Sequence, residues 1–399
     1  DSGWAKFGWG KIYGQWICGA VQFVYDFTGR FDAKDMLSVI SQHKLTTFCA
    51  PPTMYRFMLQ EDMTQYDLSS IENFCNAGEP LNPEVFNRIY ELTGKKEYLD
   101  YAIEWAEYNN WKGATQKDKR KWKYETYGEG MDHVLFADWQ ICFQVYADLY
   151  KIEHRAERIE RALEVMCYQA KTDKKDYWWW ADALYMGMPI FTKIYSITHD
   201  QKLLDKQYEC FRWTDSLLFD TDAQLYYRDG KYVYPKVKTA CNGGKSFWAR
   251  GAGWVLAGLA KVIQDLPKDS KYRALYVDRF KKLSAGVARC QQSEGYWSRS
   301  MLCEDDAPGY ETSGTAFFTY GLIWGVNNGI LSAKEYKPVI DKAWKYLSET
   351  ALQPDGSVGF VQPIGEKPDP TRKVDSKSQA PFGTGAWLLA ATEYYKSIK

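Results

Sequence analysis

The residues best suited to chemistry lie in YWWWADALYMGM, residues 177–188, where Asp182 stands among three tryptophans, two tyrosines and two methionines. Read as a helix, Trp178 and Trp179 fall four and three positions before the aspartate, and Tyr185 and Met186 three and four after it, so all share its face. A carboxyl group in such surroundings either finds a partner or keeps its proton at a raised pKa. Asp138, in DHVLFADWQICF, repeats the arrangement with Val134, Leu135, Ile141 and Cys142 at the same spacings. Two acids brought close split their pKa values, one raised and one ordinary, which is the division that general acid and base work requires. The plainer alternative for either residue is a buried acid bonded to a neighbouring helix.

A third group lies in FWARGAGW, residues 247–254, where Arg250 and Trp254 are four apart and neighbours on a helix. A guanidinium beside an indole can pair the charge of a carboxylate-bearing ring and stack on its face; a salt-bridged core arginine is the alternative. Trp248 and Trp180 are further aromatic candidates for a binding surface, and His133, five residues before Asp138, is the histidine that could reach the same place. NGGKSF, residues 242–247, ends like a phosphate loop but has Thr239 where the leading glycine belongs. No spacing fits a metal site, so neither a metal nor another cofactor is expected.

The elements that must position these residues show two textures. From about residue 95 an aromatic, small-residue helix, a turn and a charged amphipathic helix recur five times, the signature of stacked helical hairpins. The apolar set, roughly 132–150, 178–197, 247–265, 311–327 and 379–397, forms an inner ring, with charged helices outside it. Five inner and five outer helices leave an α/α barrel one hairpin short of six. Residues 1–92 differ: AVQFVYDF and LTTFCAPP read as strands on either side of the helical DAKDMLSVISQHK, and PEVFNRIYEL as a helix capped by Asn82 with Pro83 at its first position.

The chain of 399 residues has no net charge and is 45% hydrophobic, enough for one large domain or two smaller ones. Neutrality argues against a nucleic-acid partner, and the basic stretch KDKRKWKYE reads as a solvated loop. Seventeen tryptophans and thirty tyrosines suit flat sugar-stacking surfaces as well as a large core. Nine cysteines without a CxxC pair read as buried thiols without disulfides. No apolar run spans a membrane, and DSGWAKFGWGK at the start is unlike a signal peptide, which leaves cytoplasm and periplasm both open. Oligomeric state has no signal in the sequence.

WADALYM, FWARGAGW, YETSGTAFFTYGLIWGVNNGIL and GFVQPIG, in that order, resemble the unsaturated glucuronyl and rhamnogalacturonyl hydrolases of glycoside hydrolase family 105, over residues 93–399. The resemblance implies a mainly all-α, (α/α)6 toroid, here lacking its first hairpin, acting on an oligosaccharide. It also implies removal of the terminal 4,5-unsaturated uronic acid left by polysaccharide lyases, as on pectin or rhamnogalacturonan. In that reaction an acid protonates C4 of the vinyl ether, water adds at C5, and the hemiketal opens and expels the saccharide. By the same likeness Asp182 is the catalytic acid and base, Asp138 the second acid, and Arg250 and Trp254 line the uronate subsite. Two departures, Ala252 in place of asparagine and Arg228 in place of a histidine, bear on which leaving saccharide is accepted.

Residues 1–92 resemble an internal α/β fragment of a medium-chain acyl-CoA synthetase, through DSGWAKFGWGKIYGQWICGA, TTFCAPPTMYRFML and CNAGEPLNPEVFNR. There Gly78, Glu79 and Pro80 correspond to a stretch beside the adenine pocket. The phosphate loop, the Tyr-Gly-x-Thr-Glu motif and the catalytic lysine of that family are missing, so adenylation is not expected and the chain reads as chimeric. Two alternatives to the hydrolase follow: a sugar-binding barrel without activity, and a synthetase remnant with residual nucleotide affinity.

Overall fold

The computed structural model describes residues 21–25, 31–50, 54, 57–58, 61–76, 90–91 and 94–398, in two compact units, Asp1–Leu81 and Asn82–Lys399. In the first unit, helix α1 (Ala33–His43) begins where the Asp32 side chain accepts from the backbone N–H groups of Lys34 and Asp35 at 2.9 and 3.2 Å, and ends with Lys44 in the left-handed region. Strands β1 (Thr47–Ala50) and β2 (Asn73–Asn76) pair in parallel, Thr47 opposite Asn73. Leu37, Ile40, Ala33 and Met58 form a small core. LTTFCAPP therefore contains a strand and DAKDMLSVISQHK a helix, as read. Residues 21–25 of AVQFVYDF are irregular instead: Val21 and Val24 are exposed, and no described strand pairs with them. Asn82, Pro83, Gly78, Glu79 and Pro80 lie outside the described residues.

In the second unit helices alternate between an inner and an outer set, with short turns leading from inner to outer helices and long loops leading back. The outer set is α2 (Lys96–Tyr108), α5 (Glu160–Ala170), α8 (Gln201–Leu218), α10 (Arg273–Arg289) and α12 (Ala333–Tyr346). The inner set is α3 and α4 (Ala137–Gln140, Cys142–Ile152), α6 and α7 (Ala183–Met186, Met188–Thr198), α9 (Ala249–Asp265), α11 (Thr312–Asn327) and α13 (Pro381–Ile398). The small strands β3 (Phe219–Asp220) and β4 (Leu225–Tyr226) form a hairpin after α8. Composition assigns the sets: α11, TSGTAFFTYGLIWGVN, is apolar on every side and almost wholly buried, whereas α12 carries one apolar stripe.

Packing runs from α4 to α7, α9, α11 and α13 in turn; among the described residues α13 and α4 share no comparable contact. Inner helices approach closely where glycine removes the side chain. A Cβ on Gly314 of α11 would stand 2.9 Å from the Ala249 backbone, and one on Gly258 of α9 would stand 2.2 Å from the Leu184 carbonyl oxygen. One expectation needs correction: Cys241 and Cys303 form a disulfide, with Cα atoms 6.5 Å apart, while Cys142, Cys167, Cys210 and Cys290 are free thiols. The pair lies 62 positions apart in sequence, so no spacing rule pointed to it.

This backbone contact makes a stability test. Gly258→Ala is expected to lower stability by roughly 2 kcal/mol or more, since the overpacked atom is backbone and cannot rotate away. Gly365→Ala, whose added carbon meets nothing closer than 3.8 Å, should leave the thermal midpoint nearly unchanged.

Candidate active site

Asp182 does not lie inside a long helix. Residues 177–182 are irregular and the chain begins to coil only at Ala183, so Trp178 and Trp179 do not share a helical face with the acid. Tyr177, Trp178, Trp180 and Ala181 are all fully buried and Trp179 is half-buried, so the segment packs into the core on nearly every side without a helical turn. That segment is fixed by a bridge between Trp180 and Asp229 and by the Ala181 N–H, which donates to the Arg228 carbonyl at 2.7 Å. Trp180 then stacks on Phe136 with centroids 4.7 Å apart. Asp138 is likewise placed at the start of a one-turn helix, α3, so Val134 and Leu135 precede its helix rather than flanking it. Both acids thus sit at the N-terminal ends of adjacent inner helices.

Arg228 links the site. Its Nε donates to Asp182 Oδ2 at 3.2 Å, its Nη1 to Asp229 Oδ2 at 2.7 Å and to Glu366 Oε2 at 3.4 Å, and its Nη2 to the Tyr127 hydroxyl. The guanidinium also lies 5.2 Å from the centre of the Tyr127 ring. Asp182 Oδ1 is buried and has no hydrogen-bond partner among the described residues. The Asp182 side chain keeps 11% of its surface open.

Burial is the main reason that the Asp182 carboxyl is raised to about 8; the Asp138 and Asp229 charges add to the rise, and Arg250 opposes it. The 3.2 Å contact from Arg228 also opposes it. Since that guanidinium serves Asp229 and Glu366 too, it offsets only part of the burial effect, and the geometry favours an elevation smaller than burial alone produces. Asp138 is pushed up to about 6, again by desolvation. It is crowded by protein yet exposed to solvent, which argues for a smaller rise there as well.

Arg250 differs from expectation. Its guanidinium lies 4.5 Å from the Trp248 ring and 4.4 Å from that of Phe382, and it donates to the carbonyls of Gln362 at 2.7 Å and Pro363 at 2.8 Å and to Ser313 Oγ at 3.3 Å. Trp254 packs instead with Tyr185 and Phe317. Helical side chains lean toward the N-terminus, so a residue in the first turn of α9 reaches Trp248 at the cap rather than Trp254 one turn on. The Trp248 indole N–H donates to Gln362 Oε1 at 3.0 Å. Arg250 and Trp248 therefore hold the loop carrying GFVQPIG over this end of the ring. His133 is half-buried, its Nδ1 3.0 Å from Asp132 Oδ1 and its ring edge-on to Phe136.

The geometry adds residues that sequence spacing did not single out. Asp229, beside Arg228 in YYRDG, was open to view. Glu366, 138 positions from Arg228, and Tyr127, 101 positions away, had no local signal. Glu311 caps α11 from a fully buried position, accepting from the N–H groups of Ser313 at 2.9 Å and Gly314 at 2.7 Å, and its charge lies close enough to act on Arg250.

Residues 84–398 match the family model for Glycosyl Hydrolase Family 88. The chain belongs to Glycosyl Hydrolase Family 88. A solved family 88 structure from Bacteroides vulgatus is 50% identical, with a TM-score of 0.76, covering 80% of this chain and 92% of that one. A second structure, named as a polysaccharide lyase, is 57% identical with a TM-score of 0.77 and the same coverage. A family 105 hydrolase from C. acetobutylicum, 23% identical over 79% of this chain and 92% of its own, shares the fold at a TM-score of 0.62, which makes the helical unit an (α/α)6 toroid. The unsaturated 3S-rhamnoglycuronyl hydrolase of Formosa agariphila is 37% identical over 57% of this chain and 62% of its own length, so the family 88 chain spans less than two thirds of that relative. Residues 4–101 match the AMP-binding enzyme model, and rat acyl-coenzyme A synthetase ACSM3 is 39% identical over 26% of this chain and 17% of its own length. The chain thus joins a family 88 region to a segment resembling an unrelated family.

The raised Asp182 pKa has a sign that stability can report. A carboxyl that keeps its proton when folded and loses it when unfolded destabilises the fold progressively as pH rises from about 4 toward the folded value near 8. Asp182→Asn should therefore gain stability over the parent on going from pH 4 to pH 8, by about 1–2 kcal/mol after allowance for Arg228. Denaturant midpoints at the two pH values measure this, and a difference independent of pH would contradict a protonated Asp182.

Proposed function

We propose that residues 93–399 hydrolyse the terminal 4,5-unsaturated uronic acid of lyase-generated oligosaccharides, with rhamnose-linked, pectin or rhamnogalacturonan-type chains as the substrate class. Residues 1–92 are, on this reading, a synthetase-like segment without a part in the reaction. The observation that carries the reading is Asp182, a buried acid with one oxygen unpartnered among the described residues, within 3.2 Å of a guanidinium and close enough to a second acid to feel its charge. The names of the relatives, unsaturated 3S-rhamnoglycuronyl hydrolases, support the uronyl substrate.

Asp182, protonated, donates its proton to C4 of the vinyl ether, and positive charge develops at C5 and the ring oxygen. Water adds at C5 and gives its proton to Asp138, or back to Asp182. The resulting hemiketal opens between C5 and the ring oxygen, leaving a ketone at C5 and a hemiacetal at C1 that releases the saccharide. Arg228 holds Asp182 in place and, with Arg250 behind it, supplies the positive field that a uronate carboxylate requires. Trp180, stacked on Phe136, and Trp248, bonded to Gln362, pack behind the loops that carry these groups.

Incubation with an unsaturated uronyl oligosaccharide should cause the absorbance of the conjugated double bond to fall. A lyase acting on the intact polysaccharide would cause it to rise, and a binding protein would leave it unchanged. Asp182→Asn should lower kcat by about a thousandfold, in the range expected for loss of general acid catalysis. With Asp138 ionised and Asp182 protonated in the active form, kcat/KM should be bell-shaped, its acid limb lying no higher than about pH 6 and its alkaline limb no higher than about pH 8, the two limits belonging to the acid pair rather than to either residue alone. Full turnover by Asp182→Asn would sink the assignment.

A further inference from the structure

Outside the acid pair, an open hollow of about 620 Å3 is walled by Trp179, Leu217, Asp229, Gly230, Lys231 and Lys236. We propose that it is a distal subsite holding an anionic sugar unit, sulfated or uronic, that lies beyond the leaving sugar of an extended oligosaccharide. The inference rests on the proposed hydrolase reading and deepens it.

The walls supply what such a unit needs. Trp179 is half-buried and fixed by edge-on contact with Tyr127, so its indole offers a rigid face for a sugar ring. Lys231 and Lys236 are exposed. The Lys236 ammonium donates once, to the Gly230 carbonyl at 2.7 Å, and that of Lys231 reaches Glu366 at 3.1 Å. An ammonium has three donors, so both lysines retain hydrogens for an anion. The acid in the wall, Asp229, lies 3.8 Å from the Lys231 ammonium but is engaged more closely by other donors, and Lys236 makes no ion pair among the described residues. Asp229 Oδ2 is paired with Arg228 at 2.7 Å, and its Oδ1 accepts the Lys231 backbone N–H at 2.7 Å. Gly230 keeps the floor free of a side chain. Asp229, in the wall of the hollow, is two contacts from the proposed catalytic acid, through Arg228 to Asp182, and the proposal runs the saccharide from Asp182 across this short separation into the hollow.

The test uses the full chain and the double variant Lys231→Gln, Lys236→Gln, whose exposed positions should leave the thermal midpoint unaltered. A saturated uronic tetrasaccharide bearing sulfate and its desulfated counterpart are titrated calorimetrically at low salt. In parallel, KM is measured for an unsaturated disaccharide and for an unsaturated anionic tetrasaccharide. The double variant should bind the saturated probe about tenfold more weakly, with KM for the tetrasaccharide rising by a similar factor, while that for the disaccharide stays constant. Added salt should erase the difference. A loss confined to the sulfated probe identifies sulfate as the anion; an equal loss for both identifies the carboxylate. Unchanged affinity in the double variant, or equal changes for disaccharide and tetrasaccharide, would overturn the subsite. If the hydrolase reading alone fails, the parent chain turns over nothing yet binds the saturated probe, and the variant does not.

Discussion

One guanidinium facing three carboxylates governs this end of the toroid. Arg228 contacts Asp182, Asp229 and Glu366, so a single positive charge is divided among acids that come from the start of α6, from the segment after the β3–β4 hairpin and from the loop before α13. A guanidinium is the side chain suited to the task, because its planar fork offers separate donors in fixed directions. The division has a chemical consequence. Were Arg228 devoted to Asp182 alone, it would favour the ionised form of that carboxyl. Shared with the more deeply buried Asp229, at 2.7 Å against 3.2 Å, it positions Asp182 without stripping its proton.

Arg250 does comparable work on the backbone. Buried between Trp248 and Phe382, it donates to two successive carbonyls, those of Gln362 and Pro363, while Arg299 donates to the carbonyls of Asp369 at 2.5 Å, Arg372 at 3.1 Å and Pro308 at 2.6 Å. The residues between α12 and α13 have little regular structure of their own, and these donors satisfy carbonyls that a helix or sheet would otherwise pair. Glu366 reaches Arg228 because its loop is held in this way. The charge of Arg250 is in turn balanced by Glu311, buried at the cap of α11, so loop, helix start and acid pair are one connected set of charges.

Much of the fold was legible because inner and outer helices differ in composition. The stretch read as 247–265 is a helix over 249–265, and that read as 311–327 is one over 312–327, since both are rich in small and apolar residues and almost wholly buried. The site was legible in its residue types but not in its geometry. Asp182 was found through its aromatic surroundings, yet the helical spacing that drew attention to it does not exist, because the tryptophan run is held as an irregular segment by its bridge to Asp229 and its bond to the Arg228 carbonyl, partners far along the chain. Arg250 was paired with Trp254 by spacing alone, and position in the first helical turn decided otherwise. Glu366 and Tyr127 meet Arg228 across more than a hundred residues, a distance at which a single sequence carries no signal. The Cys241–Cys303 link was hidden for the same reason.

Where the two resemblances meet, packing shows which one the chain obeys. The family 88 match begins at residue 84 and the AMP-binding match ends at residue 101, so the stretch between belongs to both by sequence. Its described part includes the first half of α2. Leu99, Ala102 and Ala106 of that helix are buried in the large aromatic core, alongside Trp111 and Tyr146 from the α2–α3 loop and α4. Burying a leucine side chain is worth roughly 2 kcal/mol, and among the described residues the small core around α1 contains nothing from α2. The first turns of this helix match both families, yet its apolar face, Leu99 within the shared stretch and Ala102 and Ala106 beyond it, packs in the helical unit, where the helix serves as the first outer helix described.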